Sequence, residues 1–235
     1  MKNKMAAEAP DAGGLSWREQ AVARSLDSAR LRAEGRVQRF LDAAIDLLNT
    51  GTSKEFTVQE VVERSGQSLR SFYQYFGGKH ELLLALFEES VRSTTDHLRD
   101  YIAGEDDALE RLHKFVVEYY RLCQRVEDRP AGVTVRPLIM AEFAQQLLTT
   151  HPKEAARAFV PLVALFEELL RAAAAAGVIR DDVQRGPTIG VVLEVIMFNA
   201  FSSTIGGSSV RMDDDRSAEE LWRFVLYGIG PSPAG

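Results

Sequence analysis

The sequence predicts an all-α fold. Apolar residues recur at three- and four-residue spacing along most of the chain, with almost no alternating strand pattern. Boxes of the form S/T-x-x-E begin at Ser16, Thr57 and Ser217, and in such a box the hydroxyl and the carboxylate satisfy each other's open backbone donors at a helix start. Glycines such as Gly77-Gly78 separate the periodic segments. With 235 residues, of which 46% are hydrophobic, the chain can bury a sizeable core.

Ten helical segments are predicted in order along the chain, and the pattern leaves open whether the first two form one helix. They cover residues 16–34, 35–49, 57–64, 68–74, 79–103, 107–127, 137–149, 153–176, 186–204 and 217–228. The stretch MKNKMAAEAPDAGG at the N-terminus has no apolar core of the kind a secretory signal needs, so we expect a disordered tail. Residues 206–216, GGSSVRMDDDR, are expected to form a mobile loop.

Composition excludes several classes of protein. A single cysteine, Cys123, excludes an intramolecular disulfide framework and a multi-thiolate metal site, and it fits a reducing compartment. The longest apolar stretches, such as 82–87 and 172–179, are far shorter than the roughly 18 to 20 residues that span a bilayer. We therefore expect a cytoplasmic protein with no membrane partner.

The motifs of common enzyme classes do not occur. There is no G-x-S-x-G, no phosphate-binding loop, no G-x-G-x-x-G after a strand and no H-E-x-x-H. The histidines His80, His97, His113 and His151 lie on different predicted elements, or at their ends, without metal-ligand spacing. We expect no catalysis, no metal and no cofactor.

Charge is distributed unevenly along the chain. The formal net charge is -6, yet residues 1–80 contain 12 Lys and Arg against 10 Asp and Glu. Binding to phosphates depends on where the cations cluster and not on their sum, so the acidic total is compatible with a nucleic-acid partner.

The segment 56–83, FTVQEVVERSGQSLRSFYQYFGGKHELL, has the pattern of a helix-turn-helix. Two short helices flank 65–67, and a turn of that length with a central glycine lets two helices cross at roughly 90 to 120°. Leu69, Phe72 and Phe76 supply an apolar face for the second helix. Its other face carries hydrogen-bonding groups suited to a major groove, namely Ser68, Arg70, Ser71, Tyr73 and Gln74.

The pattern T-V-x-E-V-x-E-R-S-G-x-S-x-x-S-F-Y-x-Y-F-G-G-K-x-E-L-L resembles the DNA-binding signature of the TetR (tetracycline-repressor-like) family of bacterial transcription regulators. The resemblance runs from about Arg36 to Leu84, and its Tyr-x-Tyr-Phe-x-x-Lys-x-Glu-Leu ending is specific to that family. It implies a three-helix DNA-binding domain at 35–80, after an extension at 1–34 that combines a tail with a basic helix. A helical effector-binding and dimerisation domain would follow at 81–230.

The resemblance places the recognition helix at 68–75. Arg70 is the best candidate for a bidentate contact to guanine, because its guanidinium matches O6 and N7. Leu69 departs from the polar residues often found at its position, so it either reads a thymine methyl or packs. Lys79 opens the next long helix, where a cation and the helix amides make an anion site. The implied base-reading residues are Leu69, Arg70, Ser71 and Gln74, and the implied phosphate contacts are Thr57, Tyr73, Tyr75 and Lys79.

The predicted first helix is rich in arginine. Residues 15–39 contain six arginines against three acidic residues. Basic arms beside a groove-reading helix commonly touch phosphates or the neighbouring minor groove, and Arg36 and Arg39 lie nearest the motif. The alternative is an extra structural helix anchored by the apolar side chains Trp17, Val22 and Leu26.

The resemblance implies that residues 79–228 form a body that binds an effector and makes a dimer. A cavity with apolar walls and a few polar groups would suit a small hydrophobic ligand, although a filled core remains the alternative for each residue. Candidate ligand contacts are His113, Val116, Tyr119, Tyr120, Cys123, Met140, Phe143, Phe166 and Asn199.

The last two predicted helices are apolar on more than one face, which indicates burial beyond their own domain. The resemblance implies that they pair with their symmetry mates as a four-helix bundle. A twofold dimer would then set two recognition helices about 34 to 36 Å apart or somewhat more. Candidate dimer contacts are Val191, Val195, Phe198, Leu221, Trp222 and Val225.

The function that follows is a homodimeric repressor of transcription. It would bind a pseudo-palindromic operator in double-stranded DNA and leave it when a small hydrophobic effector tilts the 79–103 helix. The alternatives are a constitutive or corepressor-dependent DNA-binding protein, an activator, and an adaptor whose helix-turn-helix no longer reads DNA.

Overall fold

The computed structural model describes residues 16–50, 56–124, 147, 150–180, 186–205 and 214–229. These residues form helices and turns without a strand, so the predicted all-α fold is confirmed. The helices of the described residues are α1 (Trp17–Thr50), α2 (Val58–Ser65), α3 (Leu69–Tyr75), α4 (Lys79–Ile102), α5 (Ala108–Gln124), α6 (Pro152–Ala175), α7 (Gly186–Ile205) and α8 (Asp214–Ile229).

The two predicted N-terminal helices are one helix, α1, of 34 residues. Its start is the predicted capping box: the Ser16 amide donates to Glu19 Oε2 over 2.7 Å, and the Glu19 amide donates to Ser16 Oγ over 3.3 Å. Gly35 sits mid-helix with nothing within 4 Å of the position of an added Cβ. A single exposed glycine costs a helix only about 1 kcal/mol, so α1 continues through the predicted boundary at residue 34.

The C-terminal half of α1 packs against α2 and α3 around three phenylalanines. The Phe40 ring meets Phe72 edge-on at 5.4 Å between centroids and Phe76 at 6.1 Å. Phe40 and Phe72 are fully buried, and Val61 of α2 is buried beside them in the same cluster. This core fixes the orientation of the short helix α3.

Helix α5 is the central helix of the body and packs against α4, α6, α7 and α8. Phe115 of α5 stacks on Phe166 of α6 at 5.0 Å. Helix α4 links the two halves, since it begins directly after α3 and packs along α6, where Phe87 meets Phe159 edge-on at 5.3 Å.

Helix α8 begins earlier than the sequence indicated. It starts at Asp214, so Ser217 lies inside the helix and the predicted helix start at Ser217 is wrong. Residues 214–216, assigned to the predicted mobile loop, are helical, while 206–213 lie outside the described residues. The predicted helix at 137–149 also lies outside them, apart from Leu147, which is helical and buried.

Among the helices that the structure describes, none has both the length and the apolar character needed to cross a membrane.

Candidate nucleic-acid interface and internal cavity

The turn between α2 and α3 depends on Gly66. Its φ of 65° is in the left-handed region that favours glycine. The Gly66 amide donates to the Glu63 carbonyl and the Gln67 amide donates to the Val62 carbonyl, each over 3.3 Å, which closes the end of α2. The chain then enters α3 through Ser68, whose hydroxyl accepts a bond from the Ser71 amide over 3.1 Å. The predicted helix-turn-helix is thus present.

Helix α3 is amphipathic, and its buried side is Phe72. Most of the other residues of the helix are exposed to solvent, including the apolar residue Leu69, which is 43% exposed. Tyr73 is also exposed and meets the edge of Phe72 at 5.4 Å. The predicted contact residues that are exposed on α3 are Leu69, Arg70, Tyr73 and Gln74, with the N-cap Ser68 before them.

Ser71 is half-buried, whereas the sequence-based expectation placed it among the exposed groups of α3. Its Oγ is buried and has no hydrogen-bond partner within the described part of the chain. The buried hydroxyl is therefore less accessible to a partner than the side chains of Arg70, Tyr73 and Gln74, which are exposed.

Thr57 caps α2, and its hydroxyl makes two hydrogen bonds in this cap. Thr57 Oγ1 accepts from the Glu60 amide over 3.2 Å and donates to Glu60 Oε2 over 2.8 Å, while the Thr57 amide donates to the same carboxylate over 2.7 Å. The Thr57 backbone and side-chain hydrogen bonds lower the pKa of Glu60, and the charge of Lys79 lowers it further. A phosphate contact by the Thr57 hydroxyl would compete with this cap.

Lys79 lies at the first position of α4, with Nζ 4.8 Å from the centre of the Phe56 ring. The loop before it is held by Glu81, whose Oε2 accepts from the Gly77 amide over 2.7 Å. A Cβ on Gly77 would come within 2.7 Å of Glu81 Oε1, so a side chain at this position would make the Glu81 carboxylate move. Tyr75 is half-buried against the core, which leaves only part of its side chain for a phosphate.

Arg36 and Arg39 are exposed on α1. Gln67 Nε2 donates to the Arg36 carbonyl over 2.8 Å, which joins α1 to the turn before α3. Sequence reasoning missed Gln67 and Glu81 as positioning residues. The G-G-K-x-E run gave a signal for Glu81, whereas nothing local pointed to a bond across 31 residues.

An apolar cavity of about 210 Å³ lies between α5, α6 and α7. Its polar lining groups are Tyr119 and the carboxylate of Glu194, so its chemistry is that of a small hydrophobic site with one negative charge. Burial is the main cause that raises the pKa of Tyr119, and the neighbouring Cys123 thiol contributes. The lining residues are Tyr119, Pro152, Ala156, Phe159, Val163, Gly190, Leu193, Glu194 and Met197.

Tyr119 is the predicted ligand residue that lines this cavity. Val116, Tyr120 and Phe166 are fully buried in the packed core and lie outside the lining. Their burial favours the filled-core alternative because these side chains already have apolar neighbours.

The remaining predicted ligand residues have other surroundings. His113 Nε2 lies 3.0 Å from Glu219 Oε1 of α8, with the ring 5.1 Å from Trp222, so it connects α5 to α8. Cys123 is half-buried, and Asn199 is exposed on α7. Met140 and Phe143 lie outside the described residues.

The exposed side of α7 and α8 has large apolar residues. Val191 and Phe198 of α7 are more than half exposed, and Val195 is half-buried. On α8 the exposed large apolar residues are Phe224 and Tyr227, which are 67% and 88% exposed. The predicted contacts Leu221, Trp222 and Val225 require correction, because they are buried in the core of their own subunit, where α8 packs on α5.

Comparison with known proteins identifies the class that this geometry defines. Residues 40–86 match the family model described as bacterial regulatory proteins of the tetR family. The chain is 24% identical over 97 residues to the HTH-type transcriptional regulator YvdT of Bacillus subtilis, a stretch that covers 41% of this chain and 50% of the relative. The chain thus matches about half the length of that curated relative.

Solved structures share the whole described fold. The fatty acid degradation regulator FadR of Bacillus halodurans superposes with a TM-score of 0.62 at 16% identity over 82% of this chain and 95% of that one. The TetR-family repressor FadR of Thermus thermophilus, solved with lauroyl-CoA, superposes with a TM-score of 0.62 at 21% identity. That match covers 85% of this chain and 100% of the FadR chain. RolR, solved with resorcinol, superposes with a TM-score of 0.62 at 17% identity, over 86% of this chain and 90% of the RolR chain.

The fold is therefore a helix-turn-helix DNA-binding unit on a helical body. Residues 40–86 thus carry the DNA-binding unit of the tetR family, and the fold of the chain is similar to that of solved TetR-family regulators.

Proposed function

We propose that the protein is a homodimeric repressor that binds a pseudo-palindromic operator and is released by a small apolar effector. The observation that carries the proposal is the exposed side of α3, which holds Arg70, Tyr73 and Gln74 on a helix fixed from behind by Phe72. A rigid helix with Arg and Gln at its surface has the donors that read guanine and adenine in a major groove.

The exposed apolar side of α7 and α8 supports the dimer. Phe198, Phe224 and Tyr227 are large, exposed and on neighbouring helices that end the described chain. Large apolar side chains exposed in this way are typical of interaction sites. A twofold axis there pairs the surface with itself and presents two copies of α3 to successive major grooves.

The cavity supports the effector site. Its volume is below the roughly 300 to 1,000 Å³ of pockets for drug-sized ligands, so we expect a small compound with an apolar body. Solved neighbours bind resorcinol and lauroyl-CoA. The Glu194 carboxylate at the cavity favours a neutral or amine-bearing ligand over an anion.

Phe159 offers a route from the cavity to the DNA-binding unit. It lines the cavity and packs edge-on against Phe87 of α4, whose first residue is Lys79 beside α3. A ligand that displaces Phe159 would shift α4 and change the separation of the two copies of α3. Release requires that the ligand prefer the shifted conformation by as much free energy as the DNA affinity loses.

The test is binding of the protein to its own upstream intergenic DNA and to a scrambled fragment, over a salt series. We expect a preference of at least about a hundredfold for the native fragment. Resorcinol, decanoic acid and decylamine then serve as effector probes. At least one should raise the melting temperature and lower DNA affinity in parallel.

Equal binding to both DNA fragments would contradict the proposal. A ligand that raises the melting temperature but strengthens DNA binding would favour the corepressor alternative, and stimulation of transcription from the bound fragment would favour an activator.

A further inference from the structure

The N-terminal half of α1 extends well beyond the helix-turn-helix core. Residues 17–35 at 1.5 Å per residue make a helical arm about 28 Å long. Trp17, Leu26 and Leu31 of this arm are each more than 60% exposed. The predicted anchoring role of Trp17, Val22 and Leu26 is therefore wrong, because these side chains are not buried in the domain.

The charges of the arm are sorted by helix face. At 100° per residue, Arg18, Arg32, Arg36 and Arg39 fall within a sector of about 60°. The acidic residues of 17–39, which are Glu19, Asp27 and Glu34, lie at least about 100° away from that sector. We call the four arginines Arg18, Arg32, Arg36 and Arg39 the arginine face.

The two other arginines of α1 have partners in the arm itself. Arg30 pairs with Glu34 at 2.7 Å, and Arg24 lies over the Trp17 ring at 5.6 Å. Within the described ranges, the arginine face has no carboxylate at ion-pair distance. Its charges are exposed and available to an anionic partner.

The arginine face ends beside the recognition helix. Arg36 is bonded through its carbonyl to Gln67, one residue before the cap of α3, and Arg39 precedes Phe40, which packs on Phe72. The arm therefore extends outward from the place where α3 would enter a groove. From Arg18 to Arg39 the face covers about 32 Å, comparable to nine base pairs of duplex at 3.4 Å each.

We propose that the arm is a second DNA contact, in which the arginine face binds the phosphate backbone that flanks each half-site. This rests on the proposed function, because α3 must first set the protein on its operator. The contact carries little sequence information, and it lengthens the footprint and raises affinity. Arg32, Arg36 and Arg39 form a cluster beside the core and Arg18 lies near the tip of the arm, and each guanidinium can bond a phosphate, in part bidentately.

The test compares two double variants that remove the same charge. R18Q/R32Q removes half of the arginine face, and R24Q/R30Q removes two arginines from other sides of the same arm. Gln and Arg have similar helix propensity, so circular dichroism should show equal helix content in both. Binding is measured by fluorescence anisotropy over a salt series. The duplexes either stop at the half-sites or carry about ten more base pairs on each side, and hydroxyl-radical footprints are taken on the longer one.

We expect R18Q/R32Q to bind the long duplex at least tenfold more weakly than wild type and to give a shorter footprint at both ends. Loss of two arginines from each of two protomers should lower the salt slope by about 3 to 4. R24Q/R30Q should stay within about twofold of wild type, and all three proteins should bind the short duplex equally.

The arm contact is overturned if the two double variants behave alike on the long duplex while the wild type still prefers the native sequence. Self-association through the arm with an unchanged footprint would overturn it too. If the wild type has no sequence preference on either duplex, the proposed function itself fails, and the arm contact fails with it.

Discussion

Gln67 donates a hydrogen bond from its side-chain amide to the backbone carbonyl of Arg36 over 2.8 Å. The bond joins the turn before α3 to α1 at the place where α1 leaves the core. Phe72 fixes the tilt of α3 through its contact with Phe40, and Gln67 fixes the position of its N-terminus. The orientation of α3 thus depends on both apolar and polar contacts with α1.

Replacing Gln67 by Leu should loosen this attachment. We expect a loss of about 1 kcal/mol in the free energy of unfolding, from one net hydrogen bond, and a several-fold loss of DNA affinity. Gln59→Leu is the matched control, because the bond of Gln59 within the described residues is to Glu63 of its own helix, over 3.0 Å at the surface. Thermal unfolding and operator binding are measured for both. Equal DNA affinity in the two variants would contradict the positioning role of Gln67.

Replacing Ser71 by Ala tests the inward orientation of its hydroxyl. Since the buried Oγ has no partner within the described residues, its removal should leave stability unchanged or raise it by about 1 kcal/mol. DNA affinity should stay within about twofold. Ser68→Ala gives the contrast, because loss of the N-cap bond to the Ser71 amide should cost about 1 kcal/mol. A large loss of DNA affinity in Ser71→Ala would restore Ser71 as a base-reading residue.

The helix-turn-helix could be predicted from the sequence because its signals are local. The Thr57 capping box, Gly66 at positive φ and the Ser68 cap each act within a few residues, and α2 and α3 begin within one residue of their predicted starts. The inward orientation of Ser71 depends instead on how α3 rolls over Phe72. That rotation is set by packing against α1, which a local pattern does not encode.

The side of α8 that is buried could not be predicted from the sequence either. Its apolar residues occupy both sides of the helix, so the sequence indicated an interface without telling which side faces it. Packing on α5 buries Leu221, Trp222 and Val225 and leaves Phe224 and Tyr227 outside. The cavity lining was missed for a similar reason. It joins residues of three helices that are distant in sequence, and only Tyr119 was among the predicted contacts.

Filling the cavity should abolish the effector response. Ala156 lines the cavity from α6, and Ala156→Leu places a larger side chain at its wall. We expect the probe that raises the melting temperature of the wild type to lose that effect, while operator affinity without the probe stays within about twofold. Ala164→Leu, at an exposed position of the same helix, is the control. A probe that still stabilises Ala156→Leu as strongly as wild type binds elsewhere.

A charge on the exposed side of α8 should split the dimer. Phe224→Glu would place two carboxylates near the twofold axis, where burial of a charge is costly. Sedimentation at micromolar concentration should show monomers, with operator affinity at least about a hundredfold weaker because one half-site is lost. Val160→Glu, at another exposed apolar position, should remain dimeric. A dimeric Phe224→Glu would place the interface on another surface.

The central claim is that α3 reads the operator, and Arg70 tests it most directly. Arg70→Ala and wild type are titrated against the native operator and against duplexes with single substitutions at each guanine of a half-site. We predict that substitution of one particular guanine costs the wild type about 1 to 3 kcal/mol of binding free energy. Arg70→Ala should bind the native duplex more weakly by a similar amount and should no longer distinguish that base. If Arg70→Ala kept the full preference at every guanine, the assignment of Arg70 and this orientation of α3 would be contradicted.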